Sequence, residues 1–257
     1  MARSYDRRVR DFGAGLEDDF PYLGQVLTGR EALLDLGCGA GGSLRRFLAW
    51  HGAPRLCVGI DLAERMVRSA AATAAPVPCL WAVADAESPP FPPDSFDIVI
   101  AVNSLSHLQD LEGALAGAAR LLRSGGRIAL RFRDSRTLAR PIEVAFRRAL
   151  ASVASGARLR GILDMYRPPS TDRVLQTLRA ADVVSLETRS GEDERFLEPE
   201  PSISRFIAIA AYMLDMLEPS ERDLTIERFR AQAIGLAGPH GIPDFDAWTC
   251  VSGRRAP

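Results

Sequence analysis

Lysine is absent from this chain: all 32 of its basic residues are arginine. Schiff-base chemistry, attachment of pyridoxal phosphate and the phosphate-gripping lysine of a P-loop are therefore excluded. Genome composition is the simplest source of the bias. Cysteine is scarce as well. Cys38, Cys57, Cys79 and Cys250 show no C-x-x-C spacing, so neither a metal site nor a disulfide framework is expected; three sit in apolar runs and Cys38 in a glycine turn. No apolar run reaches 18 residues, and the first ten residues offer no signal-peptide core, which leaves no membrane partner and makes the cytoplasm the default location. Net charge is −1, so no overall field attracts nucleic acid. What remains, 47% hydrophobic and 25% charged over 257 residues, is an ordinary soluble globular chain.

The pattern along it is strand–helix alternation. Residues 1–30 carry helical spacing in their later part. Short apolar runs at 32–36, 56–60, 79–84, 96–102 and 127–132 predict five strands, with helices predicted over 43–50, 63–74 and 111–122. The runs are almost unbroken, as parallel strands covered on both faces require. Further strands are expected at 183–186 and 247–252, after a helix at 171–181, while the acidic stretch 190–202 reads as loop. The fold class is thus α/β, a doubly wound Rossmann-like seven-stranded sheet. One domain, 1–257, is expected, with the helical segments 134–170 and 200–235 as a cap. Within the latter, 203–217 reads as one helix, with Phe206, Ile209, Ala210, Met213 and Leu217 on a main stripe and Ile203, Ile207, Tyr212, Leu214 and Met216 off it.

The stretch from Glu31 to Ser43 organises the rest. Gly37, Gly39 and Gly42 satisfy G-x-G-x-x-G after the first strand, a spacing that many ordinary turns carry and that a dinucleotide-binding protein would also show. Asp35 narrows the choice, because a carboxylate there repels a pyrophosphate and suits a ligand bearing a cationic amine. Polar residues also end the next strands: Asp61, Asp85 and Asn103. Either acid alone reads as a helix N-cap or a loop residue; their placement at successive strand ends points to one ligand.

The run D-L-G-C-G-A-G at 35–41 resembles the first motif of the class I S-adenosylmethionine-dependent methyltransferases. V-G-I-D-L at 58–62 is similar to the family's second motif, which implies Asp61 as acceptor of both ribose hydroxyls and Leu62 beside it. A-D-A-E at 84–87 is similar to the stretch that meets the adenine amino group, implying Asp85 and Ala86. F-P-P-D-S-F-D-I-V at 91–99 and L-L-R-S-G-G-R-I at 121–128 resemble the entries to the fourth and fifth strands. The resemblance spans about 31–133 and 171–190. It implies S-adenosylmethionine as cofactor, S-adenosylhomocysteine as product, an antiparallel last strand, and cofactor contacts from Asp35, Gly37, Gly39, Asp61, Leu62, Asp85, Ala86 and Asn103.

For such an enzyme the protein has to align a nucleophile and exclude water, adding a base only where the nucleophile arrives protonated. His107, just past the fourth strand, is the candidate base, or else braces its loop. Tyr5 is a second catalytic candidate, since in similar enzymes an N-terminal tyrosine folds over the cofactor. Arg131 and Arg133 can face an acidic acceptor, and Tyr166 and His240 can line the cap. The expected acceptor is a small molecule or small peptide, at oxygen or nitrogen. A homodimer through the apolar helix at 203–217 stays open. So do a non-catalytic S-adenosylmethionine-binding module and a nicotinamide-dependent oxidoreductase, although no Tyr-x-x-x-Lys pair can exist without lysine.

Overall fold

The computed structural model describes residues 27–257. The first half follows the apolar pattern closely. Strand β1 (Ala32–Leu36) leads to helix α1 (Gly42–His51), β2 (Leu56–Asp61) to α2 (Glu64–Ala71), and β3 (Leu80–Val83) crosses to β4 (Phe96–Val102). Asp110 caps α3 (Leu111–Leu121) by accepting the Gly113 N–H at 2.9 Å. Strand β5 (Leu122–Arg133) begins earlier than its apolar run: Leu122 pairs with Phe96, the chain bulges at the left-handed Gly125, and pairing resumes at Arg127 with Ile98. The Gly125–Gly126 turn is therefore a bulge inside one strand. Then come α4 (Pro141–Ala151), α5 (Gly156–Leu163), α6 (Thr171–Ala180), β6 (Val183–Leu197), α7 (Pro199–Ile209), the single turn α8 (Ala211–Leu214), α9 (Pro219–Gly235) and β7 (Ile242–Arg255).

The strands form one seven-stranded sheet in the order β3-β2-β1-β4-β5-β7-β6, with β1–β2, β1–β4, β2–β3 and β4–β5 parallel. β7 runs antiparallel to both its neighbours. Arg255 reaches the Leu122 carbonyl while Arg133 meets Asp246, so numbers fall on one strand as they rise on the other. Ala256 N–H likewise donates to Asp182, and Gly191 lies against Trp248. Strand order reverses between β1 and β4, which opens a crevice at their carboxyl ends.

Two compact units divide the chain: unit 1 comprises residues up to Phe132, Pro169–Arg189 and Thr249–Pro257, and unit 2 comprises Arg133–Pro168 and Ser190–Trp248. In unit 1, side-chain alternation covers both sheet faces. Leu34, Ile60, Val99 and Leu130 pack with α3 and α6, while Leu33, Cys57, Ile98 and Ile100 pack with Leu44, Phe47 and Leu48 of α1. Each fully buried Leu, Ile or Phe contributes about 1.5–3 kcal/mol.

Unit 2 has its own core, centred on Phe146, Phe206 and Phe229 with ring centroids 5.1–5.5 Å apart. Its extent is wider than the expected cap segments. The stretch 190–197 continues β6 rather than forming a loop, and the helix expected over 203–217 is broken at Ala210, with no glycine or proline marking the break. As a result Ile203 and Leu214 are fully buried in the same core as Met213 and Leu217, and Met216 alone stays mostly exposed, at 57%.

Candidate active site

Three left-handed glycines shape the turn after β1, each for its own reason. At Gly37 (φ +70°) a Cβ would lie 2.4 Å from the Ser104 Cβ, whose hydroxyl donates to the Leu36 carbonyl at 2.9 Å. At Gly41 (φ +77°) it would strike the Trp81 indole at 2.5 Å. At Gly39 (φ +53°) nothing lies within 4 Å, so this glycine keeps space open. The third glycine of the turn is thus Gly41, and Gly42 is the first residue of α1. The turn is tied to β2 twice: Cys38 N–H donates to Ile60 at 2.9 Å and Gly39 N–H to Asp61 Oδ2 at 2.8 Å.

Asp61 Oδ1 accepts the Ala63 N–H at 2.8 Å, so each carboxylate oxygen is anchored by one backbone donor and keeps capacity for another. Leu62 follows, 71% exposed. Asp85 is exposed with Oδ1 held by Glu87 N–H at 2.9 Å, and Ala86 packs against the core. The Glu87 carboxylate in turn accepts the N–H groups of Gln109 at 2.7 Å and Asp110 at 2.9 Å, joining the β3 exit to the β4 exit.

Asp35 is the exception in this web. It is 1% exposed, and neither carboxylate oxygen has a hydrogen-bond partner among the described residues. Burial pushes its carboxyl up to about 8, and the charge of Asp61 adds to the shift. A buried acid without a donor calls for one from outside the fold.

At the β4 exit Asn103, the chain's single asparagine, adopts φ +56°, a region asparagine tolerates better than most residues. Its N–H donates to the Arg131 carbonyl at 2.7 Å, and its Oδ1 accepts from Arg131 Nη1 at 2.9 Å. The next residues form a 3-10 turn, Leu105–His107, that leaves the His107 side chain exposed.

Hydrogen bonds thus tie Gly39 to Asp61, Asp85 to Glu87, Glu87 to the Gln109–Asp110 backbone, and Ser104 to the Leu36 carbonyl beside Gly37. Two expectations change. Arg131 is buried and engaged with Asn103, and Arg133 pairs with Asp246 at 2.7 Å, so neither is presented to an acceptor. In unit 2 Tyr166 is half-buried and desolvation raises its hydroxyl above the usual range, while His240 stacks edge-on to Phe196 at 5.6 Å. Tyr5 lies outside the described residues. Sequence reasoning overlooked Ser104 and Glu87, whose partners are far away in the chain. Trp81 was also overlooked; facing two glycines, Gly41 and Gly59, it had a signal.

A strand-order switch point, an acid anchored by two backbone N–H groups and an unsatisfied buried acid in the strand before a glycine turn define a Rossmann-like ligand-binding fold. The methyltransferase-domain family matches residues 34–130. The 27-O-demethylrifamycin SV methyltransferase of Amycolatopsis mediterranei is 30% identical over 235 residues, 86% of this chain and 81% of the relative. Among solved structures, the BH2331 protein of Bacillus halodurans superposes with a TM-score of 0.62 at 18% identity, over 95% of this chain and all of that one. Phosphoethanolamine N-methyltransferase 2 of Haemonchus contortus, solved with S-adenosylhomocysteine, gives 0.55 at 17% identity, over 93% of this chain and 52% of that one. The chain belongs to the class I S-adenosylmethionine-dependent methyltransferases. It is an enzyme whose cofactor is S-adenosylmethionine, which sets aside the nicotinamide-dependent reading. Among the described residues no helix is long and apolar enough to cross a membrane, and no cluster of metal-ligating side chains occurs.

Proposed function

We propose that this enzyme methylates an oxygen or nitrogen nucleophile, oxygen first, on a small molecule or small peptide in the cytoplasm. The observation that carries the cofactor side is Asp35, a buried carboxyl with no donor among the described residues, two residues before the glycine turn whose Gly39 faces open space. In this reading Asp35 answers the cationic amino group, the anchored Asp61 accepts the ribose hydroxyls, Leu62 lies on adenine and Asp85 accepts its amino group. When bound, the cofactor supplies a methyl group already activated as a sulfonium, so the chain's own residues have only to bind, orient and exclude water. His107 takes the acceptor's proton from its exposed place on the turn after Asn103. Oxygen is favoured because the relative matched over most of its length is named for an O-methylation.

Labelled S-adenosylmethionine with candidate acceptors tests the assignment. His107→Ala is expected to lower kcat by roughly 10²–10⁴-fold while S-adenosylhomocysteine still binds. Near-normal kcat on the true acceptor removes His107 from the reaction. Unit 2 we assign to acceptor choice, because it interrupts the strand–helix alternation immediately after β5. Met216→Glu distinguishes this role from a dimer contact. Loss of turnover at unchanged mass and cofactor affinity supports acceptor choice, and dissociation of a dimer with turnover preserved refutes it.

A further inference from the structure

Beneath the glycine turn two thiols face each other. Cys57 lies in β2 and Cys79 immediately precedes β3, and their Sγ atoms are 3.0 Å apart. The parallel register pairs Val58 with Leu80 and Gly59 with Trp81, which places Cys57 and Cys79 one step further back, opposite each other. Neighbouring strands are about 4.8 Å apart, within the Cα separation that a disulfide spans. Cys57 is buried, whereas Cys79 is half-buried and reachable. All four cysteines are free; Cys38 and Cys250 are buried, and Cys38 Sγ lies 3.0 Å from where a Gly59 Cβ would sit, at the next rung.

The position of this pair matters because side chains two residues apart share a sheet face. The rung after Cys57–Cys79 on that face is Gly59–Trp81. There the indole lies where a Cβ on Gly59 or on Gly41 would collide, at 2.6 and 2.5 Å, so Trp81 is wedged between the strand and the turn. The Arg45 guanidinium stacks 5.4 Å from the same ring and donates to the Ala40 carbonyl at 2.7 Å. Any change in the spacing of the Cys rung is therefore transmitted to the turn through one rigid side chain.

We propose that Cys57 and Cys79 are an oxidisable dithiol which a peroxide closes into a disulfide, weakening the grip of the glycine turn on S-adenosylmethionine. The thiol–thiol hydrogen bond holds Cys79 below the usual thiol range and Cys57 above it, which makes Cys79 the attacking sulfur. Cys79 displaces hydroxide from the peroxide, breaking the O–O bond and giving a sulfenic acid and, with hydrogen peroxide, water. Cys57 then attacks that sulfur, the S–S bond forms, the S–O bond breaks and a second water leaves. Each sulfur gives up one electron and the peroxide takes both. Contraction from 3.0 Å to bonding distance draws β3 toward β2 and tilts Trp81 against Gly41.

This inference rests on reading the turn as the cofactor site, and the test separates the two. The full chain, first reduced, is treated with hydrogen peroxide, mapped by mass spectrometry and titrated with S-adenosylhomocysteine before and after. The expected result is a mass loss of about 2 Da, a peptide linking Cys57 to Cys79, affinity weaker by about fivefold or more, and recovery with dithiothreitol. Cys79→Ser is expected to keep its affinity through peroxide treatment. Should that variant not fold, alkylating Cys79 in the wild-type chain with iodoacetamide beforehand gives the same protection. Absence of the 57–79 link, or a link with affinity unchanged, overturns the proposal. Failure of the reduced chain to bind S-adenosylhomocysteine instead overturns the cofactor reading, and the coupling with it, while the peptide map still decides the disulfide.

Discussion

In unit 2 Arg140 meets Asp244 through two nitrogens, at 2.7 and 3.1 Å, and Arg195 reaches the same carboxylate at 3.0 Å. In unit 1 Asp35 is buried as deeply as Asp244 and meets no donor among the described residues. Both units bury an acid, paired with arginines in unit 2 and, in unit 1, held in its protonated form by burial. A completed pair is architecture: it adds little net stability over an apolar substitute, but losing one partner strands the other. An incomplete one is a vacancy in the energetics that only a ligand fills. This contrast separates the residues that hold the fold from the acid proposed to hold the cofactor.

The largest effect expected from testing it is in unit 2. Arg140→Ala leaves Asp244 with its main partner gone and is expected to cost about 3–5 kcal/mol by denaturant titration. A cost near zero would make the pair no different from an exposed one. Next comes Asp61→Ala in unit 1. On the proposed reading it removes two hydroxyl contacts to a charged acceptor, and affinity for S-adenosylhomocysteine is expected to fall about 10²-fold by calorimetry. Unchanged affinity would place the ribose elsewhere.

Per pH unit the smallest effect is a slope. The Asp35 carboxyl sits at about 8 in the folded chain against an ordinary 3.8, so between those values the folded state keeps a proton that the unfolded state has lost. Stability without ligand therefore falls as pH rises from about 4 to 8. A cation placed at Asp35 reverses the preference. Cofactor binding then releases a proton below about pH 8, and affinity climbs with pH by at most about tenfold per unit. Asp35→Asn is expected to flatten both slopes while weakening binding. Calorimetry in buffers of differing ionisation enthalpy reads the proton directly, and zero release at pH 7 would show that Asp35 is not where the cation sits.

Much of unit 1 was legible in advance because its strands are covered on both faces and so spell unbroken apolar runs. Asp35, Asp61 and Asp85 could be placed at strand ends for the same reason. The misreadings have physical causes. Residues 190–197 are mostly exposed on the outermost strand of the sheet, which needs no apolar alternation, so an acidic stretch passed for loop. Glycine spacing does not reveal the sign of φ, hence Gly42 in place of Gly41. Arg131 and Arg133 looked available because Asn103 and Asp246, their partners, lie 28 residues before one and more than a hundred after the other. In unit 2 the break at Ala210 turned two presumed outer residues, Ile203 and Leu214, inward.

The place of β7 has a consequence in time rather than in space. It lies between β5 and β6, yet about 110 residues separate Arg133 from Ile242. At 5–20 residues per second a ribosome needs roughly 5–20 s to cover that gap. Throughout it the edge of β5 is unpaired, and once residue 197 is made β6 also waits for its partner, each able to recruit a foreign strand. The half of the sheet that builds the cofactor turn is by then already synthesised. Vectorial synthesis thus delivers the binding machinery first and the strand that seals the sheet last, which makes the interval before Ile242 the one in which this protein most needs a chaperone.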